Sequence, residues 1–202
     1  VNRAAADPRT TASSEASAVR ALPIGTPRLV LEPLRLDHAE PMAQALADPR
    51  LHFFMGGSPA SSEQLRVRYR RILAGSGESG VDWCNWALRT RSDARIIGTV
   101  QATVTTGRRG RTADMAWVLG MPWQGRGLAK EAALALVAWL AGQDVTVVEA
   151  HIHPEHLASQ GVAEAVGMAP TDREVDEEIV WRAVLAAPPI VPAGRESDES
   201  GR

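Results

Sequence analysis

The chain has 202 residues, 45% of them hydrophobic, with a formal net charge of -2 and a single cysteine. That length and apolar content suit one globular domain with a real core, while the near-neutral charge argues against a nucleic-acid partner, which calls for a concentrated basic face. One cysteine excludes an internal disulfide and fits a reducing cytoplasm. No apolar run reaches the ~18–20 residues of a membrane-spanning helix, so a soluble, cytoplasmic protein with no membrane partner is expected.

Residues 1–25 are rich in Ala, Ser, Thr and Arg, with no repeating apolar face and no hydrophobic segment of the signal-peptide kind. Residues 187–202 join Pro188, Pro189 and Pro192 to a charged Gly/Ser ending. Neither stretch buries enough surface to offset its ordering entropy, which leaves 26–186 as the expected folded domain, with a disordered extension before it and a flexible tail after it. Alternating Leu29 and Leu31 predict a strand over 28–34, and Asp37 is placed to cap a helix running to about Ala47. Ser61 or Ser62 opens a second helix with Glu63 in its first turn and Leu65, Tyr69, Ile72 and Leu73 on its apolar face. Arg66, Arg68, Arg70 and Arg71 fall on more than one face of that helix and read as solvated surface.

Strands follow over 84–89, 95–104 and 112–119, with Gly107-Arg108-Arg109-Gly110 as a hairpin tip. Cys84 on the first of these reads as a buried, inert thiol rather than a nucleophile. Leu128, Ala132, Ala135, Leu136 and Trp139 mark one side of a helix over 128–140, whose alanines allow close packing on a sheet. A buried strand over 145–151, a short helix over 158–166 and a last strand over 178–185 complete the domain.

Between the strand ending in Ala116-Trp117-Val118-Leu119 and the helix from Leu128 lies Gln124-Gly125-Arg126-Gly127-Leu128-Ala129. A glycine-rich turn lets the backbone come close to a ligand, and the free amides of the first helical turn then point at an anion, which makes this a candidate diphosphate site. Two common phosphate loops are excluded by spacing. There is no G-x-x-x-x-G-K-[ST], and Gly125-x-Gly127 runs on to Lys130 where a dinucleotide fold needs a third glycine.

The run resembles the coenzyme loop, Q/R-x-x-G-x-G/A, of the GNAT superfamily of N-acetyltransferases. The likeness extends to Thr26-Pro27-Arg28-Leu29-Val30-Leu31, similar to that family's first strand, and to Ile96-Ile97-Gly98-Thr99-Val100, similar to its third. It continues through His153-Pro154-Glu155-His156-Leu157-Ala158-Ser159 and Ala165-Val166-Gly167-Met168, covering roughly residues 26 to 185. The resemblance implies an α/β (α+β) fold, a mixed and mostly antiparallel twisted sheet with helices on both faces. In it, the strand before the loop and the strand ending at His151 run parallel and splay apart. It further implies acetyl-CoA as cosubstrate, its pantetheine arm on the main chain of Trp117, Val118 and Leu119. The phosphates would be held by Gln124, Gly125, Arg126, Gly127, Leu128, Ala129 and Lys130.

Acetyl transfer from a thioester to a neutral amine needs a proton acceptor, donors for the developing oxyanion and an acid for the thiolate, but no metal. Many members of the family place a tyrosine as that acid in a pattern like N-x-x-A-x-x-L-Y, and here Ala163 stands in its place. Ser159 is the candidate acid instead, as in the branch that acetylates ribosomal-protein N-termini, whose motif reads H-P-x-N-x-x-S; the alternative is a serine that only caps or packs its helix. His156 replaces the usual Asn and is a candidate coenzyme contact or proton relay. Asp114 is the candidate base, against a solvated strand acid or a water path. His151, His153 and His156 invite a zinc reading, but Pro154 bends the chain and no further ligand has a recognisable spacing, so no metal is expected.

For the acceptor, Trp83 is the candidate aromatic wall, and Asp176 and Glu178, within the acidic stretch 172–178, are candidate ammonium contacts. The expected activity is acetylation of a small cationic amine, aminoglycoside-type antibiotics and hence resistance included. A protein or peptide N-terminus is the alternative acceptor, and a non-catalytic acyl-CoA sensor is the alternative of another class. Edge strands and apolar helices leave a homodimer open.

Overall fold

A computed structural model describes residues 17–185; the expected tail and the first 16 residues of the expected extension lie outside the described residues. Its strands are β1 (Ile24–Gly25), β2 (Leu29–Pro33), β3 (Val81–Thr90), β4 (Ile96–Gly107), β5 (Gly110–Leu119), β6 (Val145–Ile152), β7 (Ala169–Val175) and β8 (Glu178–Val184). Its helices are α1 (Ala39–Ala45), α2 (His52–Met55), α3 (Ser62–Leu73), α4 (Leu128–Ala141) and α5 (Leu157–Ala165). The strands form one eight-stranded sheet in the order β1-β2-β3-β4-β5-β6-β8-β7. Only the β5–β6 pair is parallel, as expected of a mixed, mostly antiparallel sheet.

Strand alternation sorts the side chains onto two faces. On one, Trp86, Val100, Ala102, Met115 and Val148 meet Ala132, Ala133, Leu136 and Leu140 of α4 and Val162 and Ala163 of α5. Trp86 is fully buried here, edge-on to Trp139 at 5.0 Å, and its indole N–H donates to the Leu22 carbonyl at 2.7 Å. On the other face, Leu34, Ala39, Met42, Leu65, Tyr69, Ala87 and Ile96 join α1 and α3 to the sheet. Cys84 is buried, and burial first, with the charge of Asp82, pushes its thiol up to about 12, which suits packing and not nucleophilic attack. No described helix is long and apolar enough to cross a membrane.

Several expectations need correction. Residues 17–25 are attached: Val19 is buried in the main core, its N–H donates to Asp82 at 2.8 Å, and Ile24 and Gly25 pair with β2. Ser17 to Gly25 shows no repeating apolar face, so only the contacts reveal it. Asp37 caps nothing; it sits inside a 3-10 turn (Leu36–His38) and pairs with Arg35 at 3.0 Å. β7 escaped the sequence reading because it is an exposed edge strand whose register slips between Pro170 and Glu174, which erases the alternation. The helix over residues 62–73 begins as expected, with Ser61 as N-cap and Gln64 completing a capping box.

One polar cluster ties β2 to the start of α4. Glu131 accepts from the Thr26 hydroxyl (2.6 Å), the Arg28 N–H (2.8 Å) and the Arg28 guanidinium (2.6 Å), while the same guanidinium donates to the Arg126 carbonyl at 2.9 Å. Burial pushes the Glu131 carboxyl up, but these bonds and the Arg28 charge outweigh it and hold the group below the usual carboxylate range. A depressed carboxyl stabilises the fold above its unfolded pKa, near the ordinary 4.5, and loses that contribution as pH falls through the folded value. Glu131→Gln is therefore expected to lower stability at pH 7 by roughly 1–2 kcal/mol, a Tm drop of about 2–8 °C. Thermal melts from pH 7 to pH 3 should show the variant losing stability less steeply than the parent below about pH 4.5.

Candidate active site

The parallel ladder between β5 and β6 ends at Asp114 and Glu149, although β5 runs on to Leu119 and β6 to Ile152. Over that stretch each strand keeps its other neighbour, β4 pairing through to Leu119 and β8 through to Ile152, so the two diverge and leave a gap. The Gly120 N–H donates to the Ile97 carbonyl in register with the β4–β5 ladder, and bonded and non-bonded pairs alternate along it. Val118 therefore turns its main-chain groups to β4, whereas Trp117 and Leu119 turn theirs to the gap. The Leu119 carbonyl is taken by the side-chain amide of Gln124 at 2.9 Å. Of the three residues expected to offer main chain to the pantetheine arm, Trp117 is thus the one with both groups available, while the main chain of Val118 is committed to β4.

At the end of the gap the loop turns into α4. Gly125 (φ 71) and Gly127 (φ 73) are both left-handed, a conformation that strains any residue with a Cβ. Gly127 is the N-cap and offers no side chain to the first turn, and the first intrahelical bond is Glu131 N–H to the Gly127 carbonyl. The amides of Leu128, Ala129 and Lys130 are consequently uncapped at the positive end of the helix dipole.

Gap and loop together wall a cleft of about 1200 Å³. Asp114, Trp117, Val118, Leu119, Gln124, Gly125, Gly127, Leu128, Ala129, Lys130, His156, Ser159 and Glu178 all line it, so thirteen positions scattered along the sequence converge. Three expected residues stay out. Arg126 is exposed, and its carbonyl rather than its side chain is engaged, by Arg28. Trp83 shares a cross-sheet row with Thr103 and Asp114 but lies outside the cleft lining, two strands away from β5. Asp176 (φ 51) forms the β7–β8 turn with Glu177 (φ 66), which carries it away from the cleft on a hairpin tip.

At the opposite wall His156 is the N-cap of α5. Its Nδ1 accepts the Ser159 N–H at 3.2 Å, so in the neutral ring the proton sits on Nε2, which lies 3.4 Å from Ser159 Oγ. Burial, reinforced by His153, pulls the His156 pKa below 6.5 against the opposing pull of a backbone bond and Glu178, and the ring is neutral at neutral pH. Nε2–H then points at the serine oxygen, which leaves the hydroxyl hydrogen free to be donated. Phe54 of α2 stacks on this ring at 4.3 Å and on His153 at 5.4 Å, closing the cleft from the α1–α3 side. The sequence reading missed Phe54, although Phe53 and Phe54 are the only phenylalanines of the chain and stand in a segment with no periodicity to bury them.

On the floor, Asp114 lies 4.0 Å from His151 Nε2, with its side chain 57% exposed. The cleft walls, and then the Glu149 charge one strand over, raise its pKa above the ordinary carboxylate value; His151 and Arg173 pull the other way. Glu149 itself is held by Arg173 at 3.1 Å and Arg182 at 3.7 Å. Among the described residues no group of three or more His, Cys, Asp or Glu is arranged to hold a metal ion.

This architecture has known counterparts. The GNAT structure from Bacillus anthracis superposes with a TM-score of 0.65 at 16% identity, covering 81% of this chain and 98% of that one. RimL, a ribosomal L7/L12 α-N-protein acetyltransferase solved with coenzyme A, gives 0.68 at 13% identity over 83% of this chain and 100% of its own. The ribosomal-protein-S5-alanine acetyltransferase from Vibrio fischeri gives 0.65 at 15% identity, covering 81% and 96%. Among the curated proteins none matches the chain. The family described as the acetyltransferase (GNAT) domain matches residues 28–169. With the splayed strands, the glycine-capped helix and that match in hand, the chain belongs to the GNAT family and is an N-acetyltransferase.

Proposed function

We propose that the protein passes the acetyl group of acetyl-CoA directly to a primary amine held above Asp114, with Ser159 as the acid for the departing sulfur. The observation that carries this reading is the line formed by the unpaired main chain of Trp117 and the uncapped amides of Leu128, Ala129 and Lys130, which fits an extended arm ending in a diphosphate. The coenzyme supplies the thioester, whose thiol has an ordinary pKa of roughly 8.5 and needs only modest acid help to leave.

The chain's own residues do the rest. Trp117 aligns the arm as an added strand, and the α4 amides with Lys130 hold the phosphates. Asp114 pairs with the incoming ammonium and takes its proton, directly or through water, and its raised pKa makes it the better acceptor. As the new N–C bond forms and the C–S bond breaks, Ser159 O–H donates to sulfur, oriented by Nε2–H of His156. His156 acts here as a positioning residue, since it touches the serine and not the reacting atoms.

The charge around the cleft bears on the acceptor. Of the acidic stretch 172–178, only Glu178 lines the cleft, and Glu149 is already neutralised by two arginines. Asp114, Glu155 and Glu178 remain. That set offers carboxylates to the ammonium group of a small cationic amine. A peptide N-terminus is the second reading, favoured by the exposed Phe53 (78%) on α2 and Leu157 (74%) on α5, and by the ribosomal-protein acceptors in the names of two structural counterparts. Thiol release with acetyl-CoA, measured across monoamines, aminoglycosides and peptides beginning with Ser, Ala or Met, separates these acceptors; release with none of them would support a non-catalytic sensor.

Gly127→Glu puts both a Cβ at φ 73 and a negative charge on the phosphate cradle, and calorimetry should register at least a ~100-fold weaker Kd for acetyl-CoA. Ser159→Ala should cut kcat by about 10²-fold while leaving that Kd within about twofold. The pH profile tests the histidine. Below its lowered pKa, His156 protonates at Nδ1 and releases the Ser159 N–H, so kcat should fall on the acid side of neutrality. His156→Asn, which accepts the same bond without titrating, should lose that inflection.

A further inference from the structure

Turning an ammonium group into an amide removes two protons from one nitrogen. The first leaves before attack, to free the lone pair, and the second leaves after it, when the nitrogen of the tetrahedral adduct carries a positive charge. Asp114 takes the first. Once it has become a carboxylic acid it has no strongly basic oxygen left, so the second proton calls for another acceptor within reach of the same nitrogen.

The sheet places one there. Glu149 is the register partner of Asp114, and strand alternation puts His151 on the same face of β6 two residues further on, past the last β5–β6 pair where the strands diverge. His151 Nε2 lies 4.0 Å from Asp114 Oδ1, and both side chains line the cleft. A carboxylate from one strand and an imidazole from the other thus flank the mouth of the gap. The remaining groups on this floor are engaged or further off. Glu149 is held by Arg173 and Arg182. His151 pairs with Val180 and Ile152 with Ile179, so Glu178 stands one same-face row further from Asp114 than His151 does. His153 and His156 each accept a backbone N–H at Nδ1, from Glu155 and Ser159, both at 3.2 Å. The His151 ring makes no hydrogen bond among the described residues, which leaves a nitrogen lone pair for a substrate N–H.

We infer that His151 is a second catalytic base, which takes the proton shed by the acceptor nitrogen as the adduct collapses. The inference rests on the acetyltransferase reading above and completes the route of its protons. The ammonium gives one proton to the Asp114 carboxylate. The neutral nitrogen then attacks the thioester carbon, forming the N–C bond and moving the carbonyl π pair onto oxygen. As that pair returns, the C–S bond breaks with its electrons on sulfur, which takes the Ser159 proton, and the remaining excess N–H proton passes to the His151 imidazole. Asp114 and His151 release their protons to water in the open cleft and Ser159 regains one, a net loss of one proton per amide formed. Nitrogen bonded to the former carbonyl carbon is a far stronger acid than the free ammonium. A neutral imidazole, the side chain that exchanges protons near neutrality, is well matched to it.

The test separates the two protons by choice of acceptor. Near neutral pH ethylamine is an ammonium ion and must lose both on the enzyme, whereas trifluoroethylamine, kept neutral by its fluorines, has only the second to lose. In thiol-release assays with acetyl-CoA, His151→Gln should lower kcat/KM by about 10²-fold with both amines, while calorimetry shows the acetyl-CoA Kd within about twofold of the parent. Asp114→Asn should lose at least ~10-fold more with ethylamine than with trifluoroethylamine. Free imidazole should raise the rate of His151→Ala by at least ~10-fold, a rescue that a histidine serving only to pack the cleft would not show. His151→Gln within about threefold of the parent, a defect confined to ethylamine, or no response of His151→Ala to imidazole overturns the inference and leaves the acetyltransferase reading standing. A parent that binds acetyl-CoA but releases no thiol with either amine sinks the small-amine reading itself, and this step with it.

Discussion

Where β5 and β6 stop bonding to each other, the sheet acquires an opening that every other part of the site is arranged around. Both strands are committed elsewhere: β5 is bonded to β4 along its full length, and β6 to β8 as far as Ile152. At Gly98 a Cβ would lie against the Val118 carbonyl, so β5 is drawn tightly onto β4 in the stretch beyond its last pair with β6. Main-chain groups in the interior are costly to leave unpaired. A gap that exposes those of Trp117 is tolerated when an extended ligand completes the ladder, and this is the physical basis for reading the opening as a coenzyme slot.

Two helices begin at this opening, and their contrasting caps divide the labour. α4 starts at Gly127, which has no side chain to offer, so its first-turn amides remain available to an anion. α5 starts at His156, whose ring occupies the Ser159 amide and in doing so fixes which nitrogen carries the proton. The first cap leaves amides free; the second sets a ring nitrogen beside the Ser159 hydroxyl. The Arg28–Glu131 cluster holds the first arrangement in place from across the sheet, with Arg28 gripping the Arg126 carbonyl in the middle of the loop.

Charge is placed with similar economy. Most of the acidic stretch near the C-terminal end is spent on an edge strand and its turn, where solvent screens it. Arg173 and Arg182 on the cleft side of the sheet pair with Glu149, whereas Asp114 of the cleft floor faces His151 and forms no ion pair with an arginine among the described residues. Phe54 of α2 stacks on His156 at the cleft wall.

The sequence by itself determined whatever depends on neighbours along the chain. The strand–loop–helix run from Ala116 to Leu140, the Ser61 cap, the alternation of β4 and β5 and the motif through Ser159 were all legible there, because hydrogen bonding within a turn or alternation along a strand is a local property. The tertiary structure decided what depends on residues far apart in the chain. Trp83 and Asp176 looked suited to the cleft, but sheet order put one two strands away from β5 and a left-handed turn put the other on a hairpin tip. Val19 and Phe54 carry no periodic signal, and their places come entirely from the surfaces that packing brought against them. A pattern in one segment reports which face is apolar, and only the closed sheet reports what that face meets.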